Sequence, residues 1–152
     1  MKLPRTGLLL GAFATLGACG LDVPRDIDGT LERVRATRVF RVGLIQGPAA
    51  EHHRPSISAF LARLRARTGA APRVTWGAAE PLLAALEDGQ LDLVIGEIAQ
   101  DSPWKTGVTV VEPLAERSVG QRRLGFSPIA RNGENAWIML IERETRDLRA
   151  GR

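Results

Sequence analysis

The stretch LEDGQLDLVIGEIAQDSPW, residues 86–104, climbs through an apolar run and breaks into Gly96, Glu97, Gln100 and Asp101 before reaching Trp104. Buried strands that end in small and acidic residues often deliver a loop to a ligand. Here the loop offers two carboxylates and an indole able to stack on a flat solute. A second group lies upstream, where Gln46 and Gly47 lead into Glu51, His52 and His53. Imidazoles and carboxylates suit zinc and related ions. Glu51, His52, His53, Glu97 and Asp101 are therefore a candidate set for a metal or a cationic solute. No recognised metal spacing is present, and a solvated polar loop is the simpler reading of the two histidines.

Bond-breaking chemistry finds no comparable support. Ser56, Ser58, Ser102, Ser118 and Ser127 lack a G-x-S-x-G context. GPAAEHHRP and RNGENAW have neither the glycine spacing nor the lysine of a phosphate loop. No pair of carboxylates stands out as acid and base. The expectation is a binding protein without a cofactor.

Cys19 is the one cysteine, so an internal disulfide is excluded. It ends MKLPRTGLLLGAFATLGACG, which has a basic start, an apolar stretch from Leu8 to Leu16 and small residues after it. That is the layout of a secretory signal. The apolar stretch is too short to span a bilayer as a helix. Leu16-Gly17-Ala18-Cys19 resembles the bacterial lipobox, which implies cleavage before the cysteine and a diacylglycerol on its sulfur. Such acyl chains would hold the chain on a membrane without a spanning helix. The expected organisation is a signal over 1–18, a lipidated tether over 19–27 and one folded unit over 28–152.

The composition fits a single exported domain. The chain has 152 residues, 44% hydrophobic and 25% charged, with a formal charge of +4. Lys and Arg are scattered among acids rather than gathered in a block. With three Trp, four Phe and no Tyr, a row of base-stacking aromatics is not expected, and nucleic acid is not an expected partner.

The elements that must position these residues follow from periodicity. DGTLERVRATR reads as a short helix and VFRVGLI (39–45) as a first strand, followed by a loop, GPAAEHHR. Ile57, Phe60, Leu61 and Leu64 then fall at helical spacing, with Pro55 in the first turn and Gly69 past the end. RVTW (73–76) is a second strand, EPLLAALEDG a helix between Pro81 and Gly89, and LDLVI a third strand. A strand near Val108–Val111, another in QRRLGFSPIA and a closing helix in NGENAWIMLIERETRDLRAG complete the reading. Glu134 and Arg143, Arg146 and Arg149 are placed to complement that helix's dipole. Trp76 and Trp137 read as core.

This β-α-β-α-β alternation implies a doubly wound α/β lobe. The mostly parallel sheet has about five strands, in an order beginning 2-1-3, with helices on both faces. The loops after strands one and three then meet at the switch point, beyond the carboxyl ends of the strands, where open α/β sheets bind ligands. Both residue groups named above leave from that edge.

LERVRATRVFRVGLIQGP, LLAALEDGQLDLVIGEI and VTVVEPLAE, in that order, are similar to the first lobe of family 3 periplasmic solute-binding proteins, the substrate-capturing components of polar amino acid ABC transporters. The resemblance covers about residues 28–116, and more weakly the last strand and helix. It implies extracytoplasmic capture of a small polar solute, such as an amino acid or amine, with an ABC permease or other membrane protein as partner. Family members insert a second lobe before the returning strand. Here only a short stretch separates TVVEPL from RRLGFSP, so one lobe is expected. In amino-acid-binding members the loop after strand three carries hydroxyls and an arginine for the α-carboxylate, and the loop after strand one carries a stacking aromatic. Ala99, Asp101, Trp104 and Lys105 stand in the first of these, and lysine lacks the bidentate geometry of a guanidinium. The candidate ligand residues are Gln46, Gly47, Gly96, Glu97, Asp101 and Trp104. The alternative function is a lobe that has given up solute binding for an interaction or sensor role in the envelope.

Overall fold

The computed structural model describes residues 25–99, 106–120 and 122–151. Cys19, Asp101, Trp104 and Lys105 lie outside the described residues. In chain order the elements are α1 (Thr30–Thr37), β1 (Val39–Ile45), α2 (Pro48–His52), α3 (Arg54–Thr68), β2 (Ala71–Gly77), α4 (Ala79–Glu87), β3 (Leu93–Ala99), β4 (Val108–Val110), β5 (Ala115–Val119), β6 (Arg122–Arg131) and α5 (Asn135–Ala150).

The strands form one six-stranded sheet in the order β2-β1-β3-β6-β4, with β5 also paired to β6. β1 lies parallel between β2 and β3, and β6 returns antiparallel along β3. β4 and β5 lie end to end on the far side of β6, so every strand except β6 points the same way. The 2-1-3 opening and the mostly parallel direction are as the sequence reading has them.

Two differences have physical causes. The polar loop after β1 contains a five-residue helix, α2, with Pro48 in its first turn. Proline's fixed φ and missing N–H suit that position. β5, AERSV, was not anticipated, because charged residues interrupt its apolar pattern. It is an edge strand, with one side paired to β6.

The core divides by strand alternation. Phe40, Val42 and Leu44 of β1 and Leu93 and Ile95 of β3 point to the face covered by α1, α2, α3 and α5. Ile57, Phe60, Leu61 and Leu64 of α3 meet them, as their spacing requires, with Trp137 and Ile141 of α5. On the other face Val94 and Ile129 pack under Leu82, Leu83 and Leu86 of α4. Gly96 faces this second side. A β-carbon there would lie 2.5 Å from the side chain of Ile45, so the close approach of β1 and β3 already demands glycine.

Trp137 is fully buried, but Trp76 is 39% exposed and is not core. β2 is an outer strand, and Val74 beside it is also exposed. No helix among the described residues is long and apolar enough to cross a membrane.

Candidate functional site

The chain leaves β1 at Gln46, whose backbone N–H donates to the Gly77 carbonyl at the end of β2. Gly47 follows with φ 156° and ψ 171°, a region open to glycine alone. This turns the backbone sharply into α2, and nothing lies within 4 Å of where a β-carbon would project. The carboxyl ends of β1, β2 and β3 are therefore brought together beside an open stretch of backbone.

Side chains on the α2 side of the sheet gather around it. Glu97, near the end of β3, is directly opposite Phe126 of β6 in the ladder, so both point to the same face. The His53 ring lies 5.1 Å from that of Phe126, and the His52 ring 4.8 Å from that of His53. On the β2 side, the Arg54 guanidinium stands 5.9 Å from the centre of the Trp76 ring. Its Nη2 donates to both carboxylate oxygens of Glu51, at 2.6 and 2.9 Å. The result is a shelf at the carboxyl edge. Trp76 is exposed along it, Phe126 is buried beneath the histidines, Glu51 is held by Arg54, and Glu97 and the Gly47 turn lie at the same edge. Gln46, Gly47, Gly96 and Glu97 share this edge. The histidine pair lies beside it, but among the described residues no group of three His, Cys, Asp or Glu side chains could hold a metal ion. Arg54, Trp76 and Phe126 were not among the residues chosen from the sequence. Arg54 sits at the first turn of a helix and Trp76 at the end of a strand, which are the positions that face this edge.

At the opposite, amino edge lies a network that the sequence reading also missed. Asp92, just before β3, is buried with its carboxylate oxygens occupied by Arg33 Nη2 at 2.7 Å, by the Arg41 backbone N–H at 2.7 Å and by the Arg41 guanidinium. Its own carbonyl accepts the Trp137 indole N–H at 2.6 Å. Burial by itself would raise the Asp92 carboxyl, but the hydrogen bonds from Arg41 and Arg33 outweigh it and hold it below the ordinary carboxylate range.

Glu134 departs from the role expected of it. Its carboxylate serves α1, accepting the backbone N–H groups of Asp28 and Thr30 at 2.9 Å each, with Arg131 alongside. Burial opposes its charge, yet hydrogen bonds from Thr30 and Asp28 and the nearby Arg131 lower its pKa. Asp26 completes the exchange, accepting Leu31 N–H at the start of α1 and Trp137 N–H at the start of α5. A cavity of about 230 Å³ opens beside these groups, with Arg33, Asp92, Arg131 and Glu134 in its wall. Their polar atoms already serve one another, so this edge is a structural clasp.

No protein-family model matches the chain, and no curated protein matches it. Solved structures do. A point mutant of domain 1 of TmArgBP, in its arginine-bound form, is 15% identical with a TM-score of 0.66, covering 79% of this chain and 98% of that one. An ancestral cationic amino acid solute-binding protein is 8% identical with a TM-score of 0.65, covering 80% and 94%. A double mutant of the VFT2 domain of Bordetella pertussis BvgS is 10% identical with a TM-score of 0.61, covering 84% and 97%. At these identities the likeness is one of fold, and the fold is that of a single α/β solute-binding lobe.

Proposed function

We propose that this chain captures a small polar solute at the carboxyl edge of its sheet and performs no chemistry on it. The observation that carries the reading is the meeting of Gln46 and Gly47 with Glu97 at the 2-1-3 switch point of a solute-binding fold. Gly47 supplies backbone at close range, and Gln46 a side-chain donor and acceptor. Glu97 gives the edge a carboxylate that suits an ammonium or guanidinium, while the Glu51 carboxylate is held by Arg54. Two of the structural neighbours are described as arginine-bound or as binding cationic amino acids, which points the same way. The preferred solute class is a cationic amino acid or amine. Asp101 and Trp104 are proposed to contribute to the same site from the segment that follows β3.

An arginine-bound form of one isolated domain is among those neighbours, so a lone lobe of this fold can hold a solute. The wider setting is part of the proposal. The chain would be exported, lipid-anchored through Cys19 on the periplasmic side of a bacterial envelope, and would serve an ABC-type permease.

Calorimetric titration with arginine, lysine, ornithine, simple amines, neutral amino acids and divalent metals tests the binding. A saturable response to a cationic amino acid or amine is expected, weakened at least tenfold in Glu97→Gln. A response to none of the compounds, together with recovery of a bound membrane protein, would favour the interaction-module reading instead.

A further inference from the structure

We propose that the groove between α1 and α5 is the face this chain lays on a bilayer rich in anionic phospholipid. The groove holds about 400 Å³ and is lined by Leu31, Met139 and Leu140 together with Arg35, Arg143 and Arg146, with Glu142 as its one carboxylate. Met139, Glu142, Arg143 and Arg146 recur at helical spacing along one outer stripe of α5. Met139 is half exposed, a large apolar side chain set among cations.

The charges are available. Among the described residues Arg35 and Arg146 form no ion pair. The partner of Arg143, Glu144, is 3.6 Å away and already holds Arg63 and Arg67 at closer range. The groove therefore carries a net positive charge around an apolar floor, the pattern that suits the boundary between headgroups and acyl chains.

Chain geometry selects a membrane as the occupant. Asp26 is fixed at one end of the groove by its bonds to the first turns of α1 and α5. Six residue steps separate Arg25 from Cys19, a reach of at most about 20 Å. A lipid on Cys19 would keep this end of the domain close to the headgroups. The arginines would then work within a few Debye lengths of the surface, and over a shorter distance once the groove docks. The clasp at the amino edge would face the membrane side and leave the carboxyl edge open to solute.

The test uses the full chain and vesicles of two compositions, phosphatidylcholine alone or with a third of phosphatidylglycerol. Binding to the neutral vesicles reads the anchor. The gain on the anionic ones reads the groove. Roughly thirtyfold tighter partitioning onto anionic vesicles is expected, from a net two charges near the surface. Half-molar salt should abolish it. The pair Arg35→Glu and Arg146→Glu should remove most of the gain and leave neutral-vesicle binding unchanged. The matched pair Arg65→Glu and Arg73→Glu, on exposed sites of α3 and β2, should retain it. Equal binding to both vesicles, or equal loss in both pairs, overturns the proposal. So does groove-dependent self-association without vesicles, since a second copy would then be the occupant. If neutral vesicles bind nothing but the anionic gain persists, the anchor reading fails and the groove assignment stands.

Discussion

Single residues in this lobe divide into those that hold the amino edge shut and those that leave the carboxyl edge open. Asp92 belongs to the first kind. It stands alone at the head of an apolar strand, opposite Arg41, the one cation inside β1. Two opposite charges in neighbouring buried strands are a pairing signal visible in VFRVGLI and LDLVI. The contribution of Arg33 from α1 is not visible there, because it depends on the helix crossing the strand ends. Asp92→Asn would leave Arg33 and Arg41 without their anion and should lower stability by about 3 kcal/mol in urea denaturation near neutral pH. The folded pKa values of Asp92 and Glu134 lie below the ordinary ones. The stability they supply is therefore complete above the unfolded carboxylate range near pH ~4 and is lost as pH falls through it toward the folded values. Acid unfolding should start in that window in the wild type. It should be visibly shallower in Asp92→Asn, and an unchanged acid limb would remove Asp92 from the account.

Tryptophans make the same contrast in another chemistry. Trp137 is wholly enclosed, touches Phe40 edge-on with ring centres 6.0 Å apart, and donates its indole N–H to a strand-leading carbonyl. Its replacement by alanine should cost about 3–5 kcal/mol. Trp76→Ala should cost less than about 1 kcal/mol, since much of the ring already meets solvent and its recorded partner is the exposed Arg54. Both indoles looked like core in the sequence. The core reading rests on Trp76 ending a strand, whereas the 2-1-3 order already leaves β2 outermost and its end open to solvent. If Trp76 proves the more costly loss in denaturant, the exposed-shelf description of the carboxyl edge is wrong.

At the scale of elements, most of the architecture was legible because each strand and helix obeys its own period. The 39–45 strand and the helix closed by Gly69 stand as the spacing predicts, and Trp137 is core as read, packed with Leu140 and Ile141. The helix in the first loop and the β5 edge strand were not legible, since both are short and polar and owe their form to neighbours. Caps are the other hidden layer. α1 and α5 both begin without a side-chain cap from their own N-cap residue. Asp26 and Glu134 supply the missing acceptors across more than a hundred residues of sequence. Asp26→Ala removes an acceptor from both helices at once. It should cost about 1–2 kcal/mol, with hydrogen exchange rising in the first turns of α1 and α5 together. Exchange confined to one helix would show that the two ends are not coupled through Asp26. Gly96→Ala tests the sheet in the same way. A methyl forced against Ile45 should cost about 1–3 kcal/mol whether or not a solute is present. The demand for glycine there is thus a packing demand, separate from any part its backbone plays in binding.

At the scale of the whole molecule, the architecture sets a limit on how tightly the proposed site could hold a solute. A two-lobed protein surrounds its solute, whereas this sheet offers one shelf. Between β4 and β6 the chain has only residues 111–121, enough for β5 and its turns. A solute held at Gln46, Gly47 and Glu97 keeps part of its surface in water, so fewer groups are desolvated and each ion pair is worth less. Two arrangements follow. In the first, one chain binds one solute with a dissociation constant in the micromolar to millimolar range, about −8 to −4 kcal/mol. In the second, two copies close their carboxyl edges on a shared solute and affinity becomes dependent on protein concentration. The first is expected. The Glu97 carboxylate of one copy would meet the same carboxylate of another, and like charges opposed across a closed site are costly. Calorimetry should return one solute per chain, and sedimentation should show the same mass with and without it. A stoichiometry of one solute per two chains, with solute-driven dimerisation, would reverse that conclusion and supply the missing wall of the site from a second copy.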